Sequence, residues 1–332
     1  MPQDIIVPAR ITTQDGKPRR LGVEIEFIGP NCYEAAAIIA KRFKGWARQE
    51  DEYRYSVEDT AYGRFVVELD TRYVHRGESP LPEVRKRLHD EHLGETVDRG
   101  VRMTIGEVTR HYMPVEVVCP PIPIQDLAIL DGAVADLRKI GARGTSESVI
   151  FAFGLQINIE MPALDAGTIL TYLQAYIVSA ERLRSEIGVD VSRRVLPFCQ
   201  PPPPDYMRLV LGDDYAPTME RLIDDYLHHN PTRNRDLDML PLFAFIDLAR
   251  VKARLGKAKV NPRPALHYRL PDSRIEDPDW FIVTEWNRWA KSVEYLAADP
   301  QRLTAVRRAY RRYLDSGSWR TLTQEALAWL RS

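Results

Sequence analysis

Apolar and polar residues alternate in several short stretches of the chain, which is the pattern of strands that bury one side. These stretches cover residues 21–28, 53–57, 64–69, 115–119, 151–161 and 265–270. Longer stretches repeat apolar residues every three to four positions, as amphipathic helices do. They cover residues 33–43, 127–140, 164–187, 219–228, 237–251, 280–295, 301–313 and 319–330. Neighbouring strands with helical insertions between them predict an α+β fold with a mostly antiparallel sheet.

The polar side of the first predicted strand is acidic. Segment 22–27 reads GVEIEF, so alternation places Glu24 and Glu26 on one side and three apolar residues on the other. Side chains two positions apart on a strand are separated by roughly 6.5–7 Å. Four more predicted strands carry polar residues on one side, namely Glu68, Asp70, Glu116, Gln156, Asn158, Glu160, His267 and Arg269.

A single strand of this kind fits a sheet with one buried and one hydrated side. Considered together, six carboxylates share a side on which no lysine occurs, whereas hydrated sheets normally mix charges of both signs. Such a surface is expected to resist folding unless cations occupy it. Carboxylate oxygens suit Mg²⁺ or Mn²⁺, which keep coordination positions for phosphate oxygens. With Arg269 as a fixed positive charge for a phosphoryl group, the residues predict metal-assisted phosphoryl chemistry.

Several of these segments resemble, in order along the chain, those of the amidoligase family. That family belongs to the carboxylate–amine ligase superfamily, together with glutamine synthetase and glutamate–cysteine ligase. The resemblance rests on four segments: GVEIEF at 22–27, PVEVVCPP at 114–121, NPTRNRDLDMLPL at 230–242 and LHYRLPD at 266–272. It implies a sheet curved into a half-funnel, with ATP entering at one end and the acceptor substrates at the other.

The resemblance also implies a division of the chain and a role for each acidic residue. It places an N-terminal extension at 1–18, a catalytic core at 19–272 and a packed helical region at 273–332. Glu24 and Glu26 would bind metal and position the nucleotide. Glu68 and Asp70 would hold a second metal or the incoming amine, and Glu116 would complete the cation sites.

The remaining predicted contacts are to the nucleotide and its phosphates. The catalytic residues would be Glu26, Asp70 and Arg269, the last of which would stabilise the phosphoryl group in transit. Two positions depart from the wider pattern, because Gln156 replaces a histidine of many relatives and His267 replaces a metal-ligand glutamate of glutamine synthetases. Besides these two and Glu24, the candidate nucleotide contacts are Asn158, Arg233, Arg235, Lys259 and Arg263. For the basic members of this set, a solvated loop is a comparable interpretation.

Composition narrows the classes of protein to which the chain could belong. Lys and Arg total 46 against 47 Asp and Glu, which gives a net charge of −1. The chain therefore lacks the overall positive charge that attracts nucleic acid or anionic membrane lipid. The N-terminal sequence lacks the apolar core of a signal peptide, and no apolar run reaches the roughly 18 residues of a membrane span. Three separated cysteines fit neither a disulfide framework nor a zinc site. A cytoplasmic protein is therefore expected.

The sequence predicts an ATP-dependent ligase that joins a carboxylate and an amine through an acyl phosphate, with ATP and Mg²⁺ or Mn²⁺ as cofactors. Small molecules or peptides would supply the carboxylate and the amine, and the resemblance implies a possible glutamine amidotransferase partner. Two alternatives stay open: a metal-dependent phosphohydrolase that uses the same acids, and a non-catalytic relative that binds nucleotide or peptide.

Overall fold

The computed structural model describes residues 4–69, 114–144, 153–188, 199–256 and 260–316. Its strands are β1 Arg20–Phe27, β2 Trp46–Asp51, β3 Arg54–Glu58, β4 Phe65–Leu69, β5 Val115–Val118, β6 Ile122–Pro123, β7 Leu155–Glu160, β8 Leu237–Asp238 and β9 Ala265–Tyr268. Its longer helices are α1 Cys32–Phe43, α2 Ala128–Lys139, α3 Ala166–Ile187, α4 Pro204–Val210, α5 Met219–His229, α6 Leu240–Ile246, α7 Leu248–Leu255 and α8 Ile282–Trp289. A π-helical turn, Ala290–Glu294, continues α8 into the short helix α9, Tyr295–Ala297, which precedes α10, Pro300–Ser316.

The described strands form one open sheet in the order β2-β3-β4-β5-β1-β7-β9-β8, and β6 pairs with one end of β1. Every one of these pairs is antiparallel. The α+β class and the antiparallel sheet are thereby confirmed. The half-funnel curvature stays a prediction, as does the division at residues 18 and 272.

Most predicted elements occur close to their predicted positions, and the main exceptions lie in three segments. The predicted helix at 237–251 is wrong, because its first two residues form strand β8 and the remainder is split between α6 and α7. The split falls at Asp247, whose φ of −143° ends α6 and whose side chain accepts a hydrogen bond from Arg250 N to cap α7. Strand β2 was not predicted, because it is mostly exposed and carries little apolar alternation. The helix predicted at 319–330 lies outside the described residues.

The apolar side of the sheet packs against helices and holds the functional strands in place. Tyr268 of β9 lies between His267 and Arg269 in sequence, so its side chain points to the opposite side of the sheet. There its ring lies 5.9 Å from that of Tyr176 and 4.9 Å from that of Trp289, measured between centroids. These contacts between buried rings hold β9 in place from the apolar side of the sheet.

Among the helices that the structure describes, none combines the length and the apolar character that a membrane span requires.

A buried ion pair links the start of the sheet to the π-helical turn. Arg19 is fully buried, and its two terminal nitrogens donate to the Glu294 carboxylate over 3.0 and 2.8 Å. The Tyr172 hydroxyl also donates to Glu294, over 2.7 Å. Burial acts to lower the pKa of the Arg19 guanidinium, but the charge and hydrogen bonds of Glu294 together with the interaction with Tyr172 outweigh it and raise that pKa above its usual value.

A second buried carboxylate, Asp131 of α2, caps a helix that is distant in sequence. The N-cap of α8 is Phe281, which offers no side-chain acceptor, and Asp131 Oδ1 instead accepts a hydrogen bond from Ile282 N over 2.6 Å. Burial raises the Asp131 pKa from 3.8 to about 6, although the hydrogen bond from Ile282 opposes this shift. The folded protein therefore binds the Asp131 proton more tightly than the unfolded chain does.

We expect Asp131→Asn to change the pH dependence of stability. Between about pH 4 and pH 6 the folded state holds more protons than the unfolded state, so the Asp131 contribution to stability falls as pH rises. Asparagine keeps the Oδ1 acceptor and removes this titration. From pH 4 to pH 7, the free energy of unfolding of the variant should gain up to about 2–3 kcal/mol relative to that of the wild type. Urea unfolding at both pH values measures the difference, and parallel pH curves for the two proteins would contradict the expectation.

Candidate active site

The predicted carboxylates form a row across the polar side of the sheet. Antiparallel pairing places Arg54 opposite Glu68, Glu68 opposite Glu116, and Glu116 opposite Glu26. Four side chains thus stand next to one another on four consecutive strands, β3, β4, β5 and β1. Neighbouring strands in a sheet lie about 4.8 Å apart. At the end of the row, Arg54 Nη1 lies 3.1 Å from Glu68 Oε2. The sequence predicted the three acids but not the arginine that ends their row.

Arginines balance part of this acidic side, and two of them, Arg54 and Arg263, were not placed there by the sequence analysis. Arg263 Nη1 donates to Glu24 Oε1 over 3.1 Å, and Arg54 contacts Glu68. Arg269 adds a third guanidinium on the same side of the sheet. The expectation that these acids are uncompensated is therefore wrong for Glu24 and Glu68, and a need for bound cations stays a prediction. The alternation within single strands could not reveal these partners, because they come from other strands and from the loop before β9.

Glu26 is held by two donors and is nearly buried, with 5% of its surface exposed. Gly154 N donates to its Oε2 and Gln156 Nε2 to its Oε1, each over 2.9 Å. The Gln156 amide cannot turn over without loss of its other contact, because its Oε1 accepts from Arg269 Nη1 over 3.0 Å. Glu26 and Arg269 are consequently fixed relative to each other through one side-chain amide.

Asp238 of β8 continues this network and was not among the predicted site residues. Its carboxylate is fully buried and accepts from Arg269 Nη2 over 3.0 Å and from Leu240 N over 3.0 Å. Arg233 Nε lies 3.6 Å from the same carboxylate. The available signal was the local alternation Leu237, Asp238, Met239, which the longer helical pattern concealed.

Four other residues form a closed ring of contacts beside Glu26. Asn158 Nδ2 donates to Glu24 Oε1 over 2.9 Å, and Asn158 Oδ1 lies 2.6 Å from His267 Nδ1. Arg263 closes the ring, because it contacts both Glu24 and His267. Since the Glu24 carboxylate requires the amide nitrogen of Asn158, the amide oxygen faces the imidazole. The neutral ring that fits this oxygen carries its proton on Nδ1 and has Nε2 as its acceptor, so the 3.4 Å approach of Arg263 Nη2 to Nδ1 is a contact and not a hydrogen bond.

The other predicted residues have mixed placements. Arg235 donates to Asn230 Oδ1 over 2.7 Å and to the carbonyl of Asn234, so it braces its own loop rather than the network around Glu26. Asp70 and Lys259 lie outside the described residues. Their roles stay predictions.

Two observations bear on cation binding and on thiol chemistry. Within the described ranges, no group of three or more His, Cys, Asp or Glu side chains could hold a metal ion. Cys119, which follows β5, is buried, and that burial together with the Glu24 charge raises the pKa of its thiol far above the usual value. Cys119 is thus a protonated core residue and not a nucleophile.

Comparison with known proteins gives one family match. A family model described as "Putative amidoligase enzyme" matches residues 17–291, a range that runs from just before β1 to the π-helical turn after α8. This range contains every residue of the network described above. No curated protein and no solved structure matches the chain.

Proposed function

The chain belongs to the amidoligase family, and from this membership we propose that it is an ATP-dependent ligase that joins a carboxylate to an amine through an acyl phosphate. Family membership supports a ligase-type enzyme that forms amide bonds. The proposal adds ATP as the source of the activating phosphoryl group and Mg²⁺ or Mn²⁺ as the cation, and it places the reaction on the polar side of the sheet.

The observation that carries the proposal is the fixed relation between a carboxylate and an arginine. Glu26 and Arg269 are joined through Gln156 by contacts of 2.9 and 3.0 Å, and all three are at least nine-tenths buried. Phosphoryl transfer requires such preorganised charges, because the negative charge of the phosphoryl group and its oxygens must be stabilised. Glu26 and Gln156 lie on strands β1 and β7, and Arg269 directly follows β9, so the sheet holds all three with the necessary precision.

The cation would be held by one or two carboxylates together with phosphate oxygens of ATP, because no three described His, Cys, Asp or Glu side chains are grouped so that they could hold a metal ion by themselves. Glu26, Glu116 and Glu68 stand in adjacent positions of one row, and Glu24 lies on the same side of β1. Phosphate oxygens of ATP and Asp70, which follows β4, would complete the coordination. When bound, the cation would offset the charge of the phosphates and of the substrate carboxylate, which otherwise repel each other.

In the proposed reaction, an oxygen of the substrate carboxylate attacks the γ-phosphorus of ATP and ADP leaves. Arg269 stabilises the negative charge on the transferred phosphoryl group. The amine then attacks the acyl carbon, the C–O bond to phosphate breaks, and an amide and inorganic phosphate form. The amine, held near Glu68 and Glu116, loses its proton to a carboxylate of that row.

The positions of the charged residues support a separate place for each substrate. Arg263 and His267 lie at one end of the acidic side and Arg54 lies at the other. We place the nucleotide phosphates at the end near Arg269 and Arg263, and the amine near Glu68 and Glu116. The half-funnel and a glutamine amidotransferase partner stay predictions from the family resemblance.

The experiment that tests the proposal is a measurement of ADP and phosphate release from ATP with Mg²⁺ or Mn²⁺. Pools of amino acids, polyamines and small peptides serve as acids and amines. Release that depends on a particular acid and amine together is the expected result. ATP consumption that no acceptor changes would instead indicate a phosphohydrolase, and ATP binding without consumption in any pool would indicate a non-catalytic binder.

A further inference from the structure

One buried carboxylate, Asp238, contacts two arginines at the β8–β9 end of the sheet, Arg269 and Arg233. Its Oδ2 accepts from Arg269 Nη2 over 3.0 Å and lies 3.6 Å from Arg233 Nε. The side chain of Asp238 is fully buried, whereas 8% of the Arg269 side chain and 36% of the Arg233 side chain are exposed. Asp238 therefore lies behind the two guanidiniums and limits the directions in which they can point.

Asp238 also connects to the catalytic carboxylate through a series of short contacts. Arg269 bridges Asp238 and Gln156, and Gln156 bridges Arg269 and Glu26. Each member offers the partner that the next requires: carboxylate to guanidinium, guanidinium to amide oxygen, and amide nitrogen to carboxylate. A change at Asp238 would release Arg269 first and reach Glu26 only through it.

The two arginines and Asp238 together carry one net positive charge, since two guanidiniums face one carboxylate. Each guanidinium presents its N–H donors in pairs in one plane, and this arrangement suits an anion with several oxygens, such as a phosphoryl group. Asp238 is too deeply buried to be the group that meets this anion. Its place is that of a residue that acts through its neighbours.

We propose that Asp238 is a positioning residue that holds Arg269 and Arg233 against the γ-phosphoryl group of the nucleotide. This role rests on the proposed function for the identity of the nucleotide. The alternative role of Asp238 is purely structural, because its Oδ1 accepts from Leu240 N in the first turn of α6. A test must therefore separate γ-phosphate recognition from folding.

The chain offers a matched control in Asp236, two residues earlier. Asp236 is also fully buried, accepts a backbone hydrogen bond from Leu237 N and pairs with an arginine, but that arginine is Arg184 of α3. It meets Arg269 only through its backbone carbonyl, which accepts from Arg269 N and which a side-chain change leaves in place. Asp236→Asn therefore perturbs a comparable buried pair away from the arginines that face the nucleotide.

The experiment compares wild type, Asp238→Asn and Asp236→Asn by calorimetric titration with the Mg²⁺ complexes of ADP and of a non-hydrolysable ATP analogue. Asparagine at 238 keeps the Oδ1 acceptor for Leu240 N and removes the charge that orients the arginines. We expect Asp238→Asn to weaken analogue binding roughly 10- to 100-fold and ADP binding much less. Asp236→Asn should lower the melting temperature comparably while both affinities stay near the wild-type values.

The outcomes separate the positioning role from the proposed function. Equal weakening of ADP and analogue binding, or equal effects of the two substitutions, would overturn the positioning role. If wild type consumes ATP with an acid and an amine while Asp238→Asn binds the analogue normally, the positioning role falls and the ligase proposal stands. Wild type that binds neither nucleotide would overturn both.

Discussion

Replacement of Glu26 by glutamine is expected to lower kcat roughly 1,000-fold or more. Glutamine preserves the size of the side chain but removes the negative charge that the proposed cation requires. It also places a donor where Glu26 accepts from both Gly154 N and Gln156 Nε2, and Gln156 cannot reverse its amide without loss of Arg269. The charge and the orientation of the neighbouring network are thus lost together.

The Glu26→Gln variant should nevertheless fold. One unsatisfied contact in a buried site is expected to cost about 1–3 kcal/mol of stability, which thermal unfolding will show. Glu160→Gln is the matched control, because Glu160 lies on the same side of β7 as Gln156 but its carboxylate contacts Arg20. Initial-rate kinetics on the acid–amine pair found by screening compare the two variants. Near-normal turnover by Glu26→Gln would contradict the assignment of Glu26.

Arg19→Met is expected to give the largest loss of stability, about 3–5 kcal/mol. Methionine fills much of the space of arginine but leaves the Glu294 carboxylate buried without its cation. Tyr172 and Trp289 would still donate to Glu294, over 2.7 and 3.4 Å, but two neutral donors cannot replace the charge of the guanidinium. Urea unfolding and a melting temperature lowered by roughly 5–15 °C would show the effect.

A double substitution tests whether the uncompensated charge causes this loss. In Arg19→Met/Glu294→Gln the buried charge is removed together with its partner, so much of the lost stability should return. A double variant as unstable as Arg19→Met alone would show that the packing and backbone contacts of Arg19 dominate. Those contacts include hydrogen bonds to the carbonyls of Glu160 and Arg10, over 2.9 and 2.8 Å.

The sequence predicted the polar side of the sheet because alternation is a local property. In segment 22–27, each residue's side follows from its neighbours alone, and Glu24 and Glu26 indeed share the polar side. The same logic held for Glu68, Glu116, Gln156 and His267. The family resemblance is confirmed by the match over residues 17–291.

Contacts between strands that are distant in sequence could not be predicted in this way. The pairing of Arg54 with Glu68 depends on the register of β3 and β4, and the contact between Asp238 and Arg269 depends on the pairing of β8 with β9. A two-residue strand such as β8 is too short to show a period, and its neighbours favoured a helix. The sequence therefore contains the arginines that balance the acids, but it could not predict which acid each arginine contacts.

Transfer of ¹⁸O from the substrate carboxylate to phosphate tests the acyl-phosphate ligase most directly. An acid labelled in both carboxylate oxygens is incubated with its amine and MgATP, and the released phosphate is analysed by mass spectrometry. One carboxylate oxygen attacks the γ-phosphorus and leaves with phosphate when the amine attacks the acyl carbon, so one ¹⁸O per phosphate is expected. Phosphate whose new oxygen comes only from water would contradict the proposed ligase.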